Sequence, residues 1–249
     1  LYDYVDSRLE SGEYTIDMSG VDCYEQPEVV AADLQGQLEQ LNSLYDVEIS
    51  FDFTYTTEIL SGSEFVDWIT FENEDPADGY TVDADKAMEY VEYLAETYDT
   101  YGKDRTFNST SRGEITVEAG EGCYGWWIDQ QETCDQIVEL IEEGESVEVE
   151  PVYYQNPYSA YEYVCNPEWR TAESDIGDTY IEIDLEMQHF WYYKDGELEY
   201  ECDIVSGLPT EERNTPGGVY KLWLKERDKV LSGSLSSGET WETPVTFWN

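Results

Sequence analysis

Positive charge is scarce in this 249-residue chain: 12 Lys and Arg stand against 58 Asp and Glu, for a formal charge of -46. A surface of that sign repels DNA, RNA and anionic lipid, so no nucleic-acid partner is expected. There is a single histidine, His189, which excludes a histidine-rich metal site, and the five cysteines (Cys23, Cys123, Cys134, Cys165, Cys202) contain no Cys-x-x-Cys pair of the zinc or redox kind. The nearest approach to a calcium loop, Glu72 to Gly79, places Pro76 where a ligand belongs. Neither a metal nor a cofactor is therefore expected. No run of about 18 apolar residues occurs and no signal sequence is present, so any membrane attachment is through an N-terminal anchor outside this chain. The chain starts at Leu1 rather than Met and stops in the apolar Phe247-Trp248-Asn249, and both ends read as cut.

The acids are interleaved with 22 Tyr and 8 Trp. Disordered acidic tails lack aromatics, so this is a folded protein, long enough for two domains or three small ones. Leu34, Leu38, Leu41 and Leu44 recur at helical spacing within a run from Pro27 to Leu44 and predict one buried helix face. Val47 to Phe53 alternates apolar and polar residues as a strand does. Thr57 to Ile69 predicts a turn and a short helix, followed by a polar loop to Tyr80. Asp83 is placed to cap a helix whose Met88, Val91, Leu94, Ala95 and Tyr98 share a face, ending near Gly102. Arg105 to Phe107 and Glu114 to Val117 flank Ser-Thr-Ser-Arg-Gly and predict a hairpin. Asn108-Ser-Thr110 within it matches a glycosylation acceptor, a pattern short enough to arise by chance. After Tyr124 to Asp129 a second helix carries Cys134, Ile137, Val138 and Ile141 inward and ends at Gly144, and Val147 to Val152 is a further strand. Strand, Trp, Asp and helix thus follow one another twice, which fits a diverged internal repeat. Tyr153 to Asp178 has no usable period and reads as a linker. Cys123 and Cys134, separated by a short loop, are the most local candidates for a disulfide.

In the last third, Tyr180 to Leu185 and Gln188 to Tyr193 read as strands. Asp195-Gly196 supplies the two positive φ angles of a type I′ turn, so Leu198 to Val205 folds back. Counting outward from that turn sets His189 opposite Cys202, at a Cβ separation of roughly 5 Å. The same count puts Trp191, Tyr193, Leu198, Tyr200 and Ile204 on that face and Glu199, Glu201 and Asp203 on the other. Such a face is core, where a thiol stays protonated, so the pair reads as packing rather than a Cys-His dyad.

The run Asp175-Ile-Gly-Asp-Thr-Tyr-Ile-Glu-Ile-Asp-Leu185, with Gln188-His189, Lys194-Asp-Gly196, Val205-Ser-Gly207, Thr215-Pro-Gly-Gly218, Lys225-Glu-Arg-Asp228 and Pro244-Val245, resembles the first half of an L,D-transpeptidase catalytic domain. Phe107, Gly122-Cys-Tyr-Gly-Trp126, Ile128-Asp129 and Gly144 to Pro151 resemble the peptidoglycan-binding domain that precedes it in many Gram-positive members. The resemblance implies an α+β architecture: a peptidoglycan-binding domain over 1–152, a linker over 153–178, and over 179–249 the N-terminal part of a mostly β catalytic sandwich. It further implies an exported cell-wall enzyme, often membrane-tethered. In the full-length parent a cysteine takes an acyl group from a tetrapeptide stem and passes it to an amine on a neighbouring stem, giving a 3→3 cross-link. The family's catalytic signature, a His-Gly pair and then Ser-His-Gly-Cys, does not occur in these residues, so no catalytic residue is carried over and the chain itself is expected to be inactive. A non-catalytic wall-binding or spacer module is the alternative.

The partners implied are peptidoglycan stem peptides and glycan. Tyr124, Trp126 and Trp127 are candidate glycan contacts if exposed, although Trp126 reads foremost as a core residue that fixes the strand to the helix that follows. Arg213 and Lys221, rare cations here, are candidates to steer an anionic stem peptide. The excess of negative charge also predicts that salt stabilises the fold by screening self-repulsion. The melting temperature should rise between low and molar NaCl, and an unchanged value would refute the prediction.

Overall fold

The computed structural model describes residues 1–18, 21, 30–31, 34–71, 79–120, 122–154, 170–171, 173–222, 224–234 and 237–248. Cys23, Cys165 and the Glu72 to Asp78 stretch lie outside them. The first half holds helices α1 (Tyr2–Glu10) and α2 (Gln35–Tyr45), strands β1 (Glu48–Asp52) and β2 (Thr57–Ser61), and a short helix α3 (Gly62–Phe65) that runs into the 3-10 turn Val66–Trp68. Next come β3 (Ile69–Phe71), β4 (Tyr80–Val82), α4 (Ala84–Tyr98), β5 (Arg105–Ser109), β6 (Gly113–Val117), α5 (Gln130–Glu143) and β7 (Val147–Val149). Among the described residues of the C-terminal part the regular elements are strands: β8 (Tyr180–Asp184), β9 (His189–Lys194), β10 (Glu197–Asp203), β11 (Glu226–Ser234) and β12 (Thr240–Trp248). Helices and strands are both well represented, and the α+β class holds.

Both long helices start where a side chain can replace the missing backbone acceptor. The Asp83 carboxylate accepts from the N–H groups of Asp85 and Lys86, and Asp129 accepts from Glu132 N–H. Gly144, at φ 67°, closes α5 in the left-handed conformation that a side chain disfavours. The inward faces of α4 and α5 then pack on a sheet ordered β2-β1-β7, in which β7 runs parallel to β1. Ile49, Phe51, Phe53, Leu60, Val91, Leu94, Trp126, Ile128, Ile137 and Ile141 are fully buried there. Thr57 to Ser61, where a turn had been expected, is a strand, because it pairs antiparallel with β1 from Glu48 to Asp52. The leucine face expected of α2 is not a core face: Leu34 and Leu38 are exposed, and Leu44 is the one buried residue of that helix. The candidate Cys123–Cys134 disulfide does not form. Both thiols are free, Cys134 facing Ala84 O at the start of α4 and Cys123 lying beside Val219. Burial pushes the Cys134 thiol pKa up and keeps it unreactive.

The C-terminal strands build a sheet ordered β10-β9-β8. Asp195 and Gly196 have φ 50° and 79°, as a type I′ turn requires. Two residues beyond the turn the count from sequence fails, because a bulge between Leu198 and Tyr200 shifts the register by one. Phe190 therefore faces Cys202 and His189 faces Asp203. One extra residue reverses which face every later side chain occupies. One face now carries Ile181, Ile183, Phe190, Tyr192, Tyr200 and Cys202; the other carries Tyr180, Glu182, Asp184, His189, Trp191 and Tyr193 with Glu201 and Asp203. The expected core face thus loses Cys202 and Tyr200 to the opposite side.

The mixed face is the one that meets the first half of the chain. The β5–β6 hairpin lays its tip across it: Ser109 Oγ (2.8 Å) and Thr110 N–H (3.0 Å) donate to Glu182, and the Thr110 hydroxyl binds both Glu182 and Tyr193. Arg112 donates two bonds to Asp184, at 2.9 and 3.0 Å, and reaches Glu186 at 2.8 Å. Phe107 sets its ring edge-on to Tyr180, 5.5 Å between centroids. The Asn108-Ser-Thr110 sequence is thus part of a docking loop. A second seam forms where Val219 O accepts from Cys123 N–H and Tyr124 N–H while Gly218 bridges Gly120. Side chains are excluded from that seam, since a Cβ on Gly218, itself at φ 130°, would lie 2.7 Å from Gly122 N.

Candidate functional site

The segment Tyr124 to Asp129 runs as an extended strip between the α4 C-terminus and the strip at Tyr153, to which Ile128 bridges. Extended backbone alternates its side chains, and the burial follows suit. Trp126 (1% exposed) and Ile128 point into the core, whereas Trp127 (38%) points out. Tyr153 is buried and Tyr154 exposed in the same manner. Of the three aromatic candidates, Tyr124 and Trp126 are therefore interior. The Tyr124 hydroxyl donates to Asp175 O, and Trp126 meets Tyr153 edge-on at 4.6 Å. Trp127 alone faces solvent, stacked on Tyr101 (4.4 Å, 8° between planes) and against Tyr154 (4.3 Å, 46°).

Beneath this strip lies a residue that the sequence does not advertise. Arg170 is buried with its guanidinium 4.1 Å from the Trp126 ring centre and 5.2 to 5.9 Å from those of Tyr55, Phe53 and Tyr98. It donates to Tyr98 O, and cation–π attraction to several rings offsets part of its lost hydration. Five residues on, Asp175 is buried against Arg105, which donates from Nε and Nη2 (both 2.9 Å) and also holds Tyr124 O. Burial pushes the Asp175 carboxyl pKa upward, but the guanidinium and the Thr100 hydroxyl outweigh it and hold the group below the usual carboxylate range. Asp184, bonded to Arg112, is likewise depressed.

Asp99 is the exception among the carboxylates of this region. Its Oδ1 accepts from Ile128 N–H at 2.9 Å, yet burial raises its pKa from 3.8 to about 6, against the lowering effects of that hydrogen bond, Lys103 and Arg170.

In the C-terminal sheet, His189 sits between two carboxylates, Nδ1 2.9 Å from Asp203 and Nε2 3.4 Å from Glu201, over the Trp191 ring. Cys202 is on the opposite face of the sheet, so no Cys-His dyad forms. Gln188 and Ser206 exchange two hydrogen bonds at the edge of an open concavity of about 400 Å³ that Leu185, Val205 and Leu208 also line. Arg213 is exposed nearby in sequence and makes no ion pair among the described residues. Also among the described residues, no cluster of three or more His, Cys, Asp or Glu side chains is arranged to hold a metal, and no helix is long and apolar enough to cross a membrane.

Two halves, one helical and sheet-backed, the other a sheet with an apolar face that stays exposed among the described residues, invite comparison with known proteins. The family model described as "Putative peptidoglycan binding domain" matches residues 70–150. The avibactam carbamoyl enzyme of Ldtfm is 34% identical with a TM-score of 0.62, the match covering 85% of this chain and 75% of that one. A Cys→Ser mutant of Enterococcus faecium L,D-transpeptidase is 33% identical with a TM-score of 0.63, covering 86% and 77%. No curated protein sequence matches. At that identity over most of both chains, the protein belongs to the L,D-transpeptidase family of cell-wall cross-linking enzymes. Its peptidoglycan-binding domain fits a location at the cell wall or cell surface.

The raised Asp99 pKa makes a signed prediction. A carboxyl whose pKa is higher folded than unfolded stabilises the fold fully below about 3.8 and loses that contribution as pH rises through about 6. Asp99→Asn keeps an acceptor for Ile128 N–H without the charge, so the variant should gain stability relative to wild type between pH 4.5 and pH 7.5. Thermal unfolding at both pH values checks this, and parallel shifts in the two proteins would contradict it.

Proposed function

We propose that this chain is the wall-engaging portion of a cell-wall L,D-transpeptidase. Residues 1–152 bind peptidoglycan, 153–178 connect, and 179–249 supply the opening strands of the catalytic sandwich. In the complete enzyme a cysteine thiolate attacks the stem-peptide donor, and the acyl-enzyme then passes its acyl group to an amine on a neighbouring stem. Atoms balance through a thioester formed with loss of the donor's terminal residue and resolved by the incoming amine. A thiolate, a base and donors for the developing oxyanion must stand together for this, and the Ser-His-Gly-Cys signature that would bring them is not among these 249 residues. Neither Cys202 nor Cys123 has the neighbouring imidazole that would activate it. Of the substrate contacts, Trp127 is the aromatic candidate open to glycan and Arg213 the cation open to a stem carboxylate, whereas Tyr124 and Trp126 serve from inside the fold.

The observation that carries this reading is a face of the β10-β9-β8 sheet that none of the described residues covers. Ile181, Ile183 and Tyr200 are 49, 48 and 58% exposed there beside Phe190 and Tyr192, while the reverse face is occupied by the β5–β6 hairpin. A sandwich buries that kind of face against a second sheet. The 249-residue chain, incubated with a tetrapeptide-stem muropeptide, should form no cross-linked dimer, and intact mass should show no acyl adduct on any cysteine. Either product would overturn the assignment of catalysis to residues outside this chain.

A further inference from the structure

Trp127 is one of three aromatic rings delivered to the same patch of surface from three separate segments. Tyr101 arrives from the turn after α4, its N–H bonded to Trp126 O at 2.9 Å. Tyr154 arrives from beyond β7, its N–H bonded to Trp127 O at 2.9 Å. Those two bonds bracket the indole, and the Asp129 N–H to Val152 O bond (2.8 Å) fixes the strips in register. The ring positions are thus set by backbone pairing rather than by hydrophobic burial. Their neighbours Trp126, Ile128 and Tyr153 already fill the core positions of the same strips. An outward position in such a strip is ordinarily polar, and this chain has 58 acids with which to make it so. Instead Trp127 and Tyr154 leave 38 and 37% of their area in solvent, with Tyr101 half-buried beside them.

We propose that Tyr101, Trp127 and Tyr154 form a sugar-binding platform that takes the apolar C–H face of a pyranose ring of the wall glycan. The proposal rests on the reading of residues 1–152 as peptidoglycan-binding and names where and what they grip. Charge selects the occupant. At -46 the chain as a whole disfavours polyanions, whereas an uncharged sugar ring carries no such penalty and offers C–H groups to the rings. Tyr101 and Trp127 also lie inside the stretch that matches the peptidoglycan-binding family.

The test uses the 249-residue protein and its Trp127→Ala, Trp127→Phe and Tyr154→Ala variants, each checked for native circular dichroism. Each is titrated by tryptophan fluorescence with glycan strands stripped of stem peptides, and sedimented with intact wall sacculi. Wild type should bind both ligands, the two alanine variants should bind the stripped glycan at least tenfold more weakly, and Trp127→Phe should keep most of the affinity. Tyr154→Ala removes a ring without touching the core and decides the matter if Trp127→Ala does not fold. Alanine variants that bind like wild type would overturn the platform. So would a wild type that binds sacculi but not stripped glycan, an outcome that leaves peptidoglycan binding intact. A wild type that ignores sacculi altogether removes the peptidoglycan-binding reading and the platform with it.

Discussion

The buried ion pair between Arg105 and Asp175 is the constraint on which the arrangement of the two halves depends. Their side chains are 10 and 4% exposed, in a protein with 12 cations to distribute among 58 acids. Taking both charges out of water is costly, and the pair persists because a network of hydrogen bonds replaces the lost water: Arg105 donates two bonds to Asp175 and one each to Tyr124 O and Lys103 O, and the Thr100 hydroxyl donates to Asp175. Asp175 lies five residues before β8. Fixing it places the start of the C-terminal sheet against the β5–β6 hairpin, so that Glu182 and Asp184 meet Thr110 and Arg112. The Val219 seam closes on the other side of Tyr124. The segment that reads as a linker from composition is thus anchored at its end, at Arg170 and again at Asp175.

Local chemistry was legible in the sequence wherever one residue decides it. The Asp83 cap, the Gly144 stop, the Asp195-Gly196 turn and the alternating core of β1 all stand where spacing put them, since each depends on near neighbours. The β10 bulge did not show itself. Leu198-Glu199-Tyr200 contains no Gly, Pro or other mark of a bulge, and the alternation continues through it unbroken. The shift arises from pairing with β9 and exchanges the faces of everything after it. The leucines of α2 failed for the opposite reason: their period is real, but what they face is decided by tertiary packing, and among the described residues Leu44 alone of them is buried.

The functional surface was half legible. The cluster around Trp126 stood out as aromatic, and strict alternation along Trp126-Trp127-Ile128 is the signal that separates the inward tryptophan from the outward one. Tyr101 and Tyr154 were not found, because long-range backbone bonds, Tyr101 N–H to Trp126 O and Tyr154 N–H to Trp127 O, are what bring their rings to Trp127. Arg170 sits in a stretch without periodicity, and no local pattern marks a cation destined for a box of four rings. Together these residues explain why one strip of chain serves two ends. Its inward side chains tie the helical half to the junction, and Trp127 on its outward side stays in solvent, where the proposed glycan platform needs it.

If the junction is what joins the helical half to the C-terminal sheet, removing its cation must loosen the whole protein. Equilibrium unfolding of Arg105→Ala against wild type, followed by tryptophan fluorescence in denaturant, measures this directly. An uncompensated Asp175 inside the fold should lower the unfolding free energy by about 3–5 kcal/mol. A loss of less than about 1 kcal/mol, the scale of an exposed ion pair, would contradict the account and leave the two halves joined by surface contacts alone.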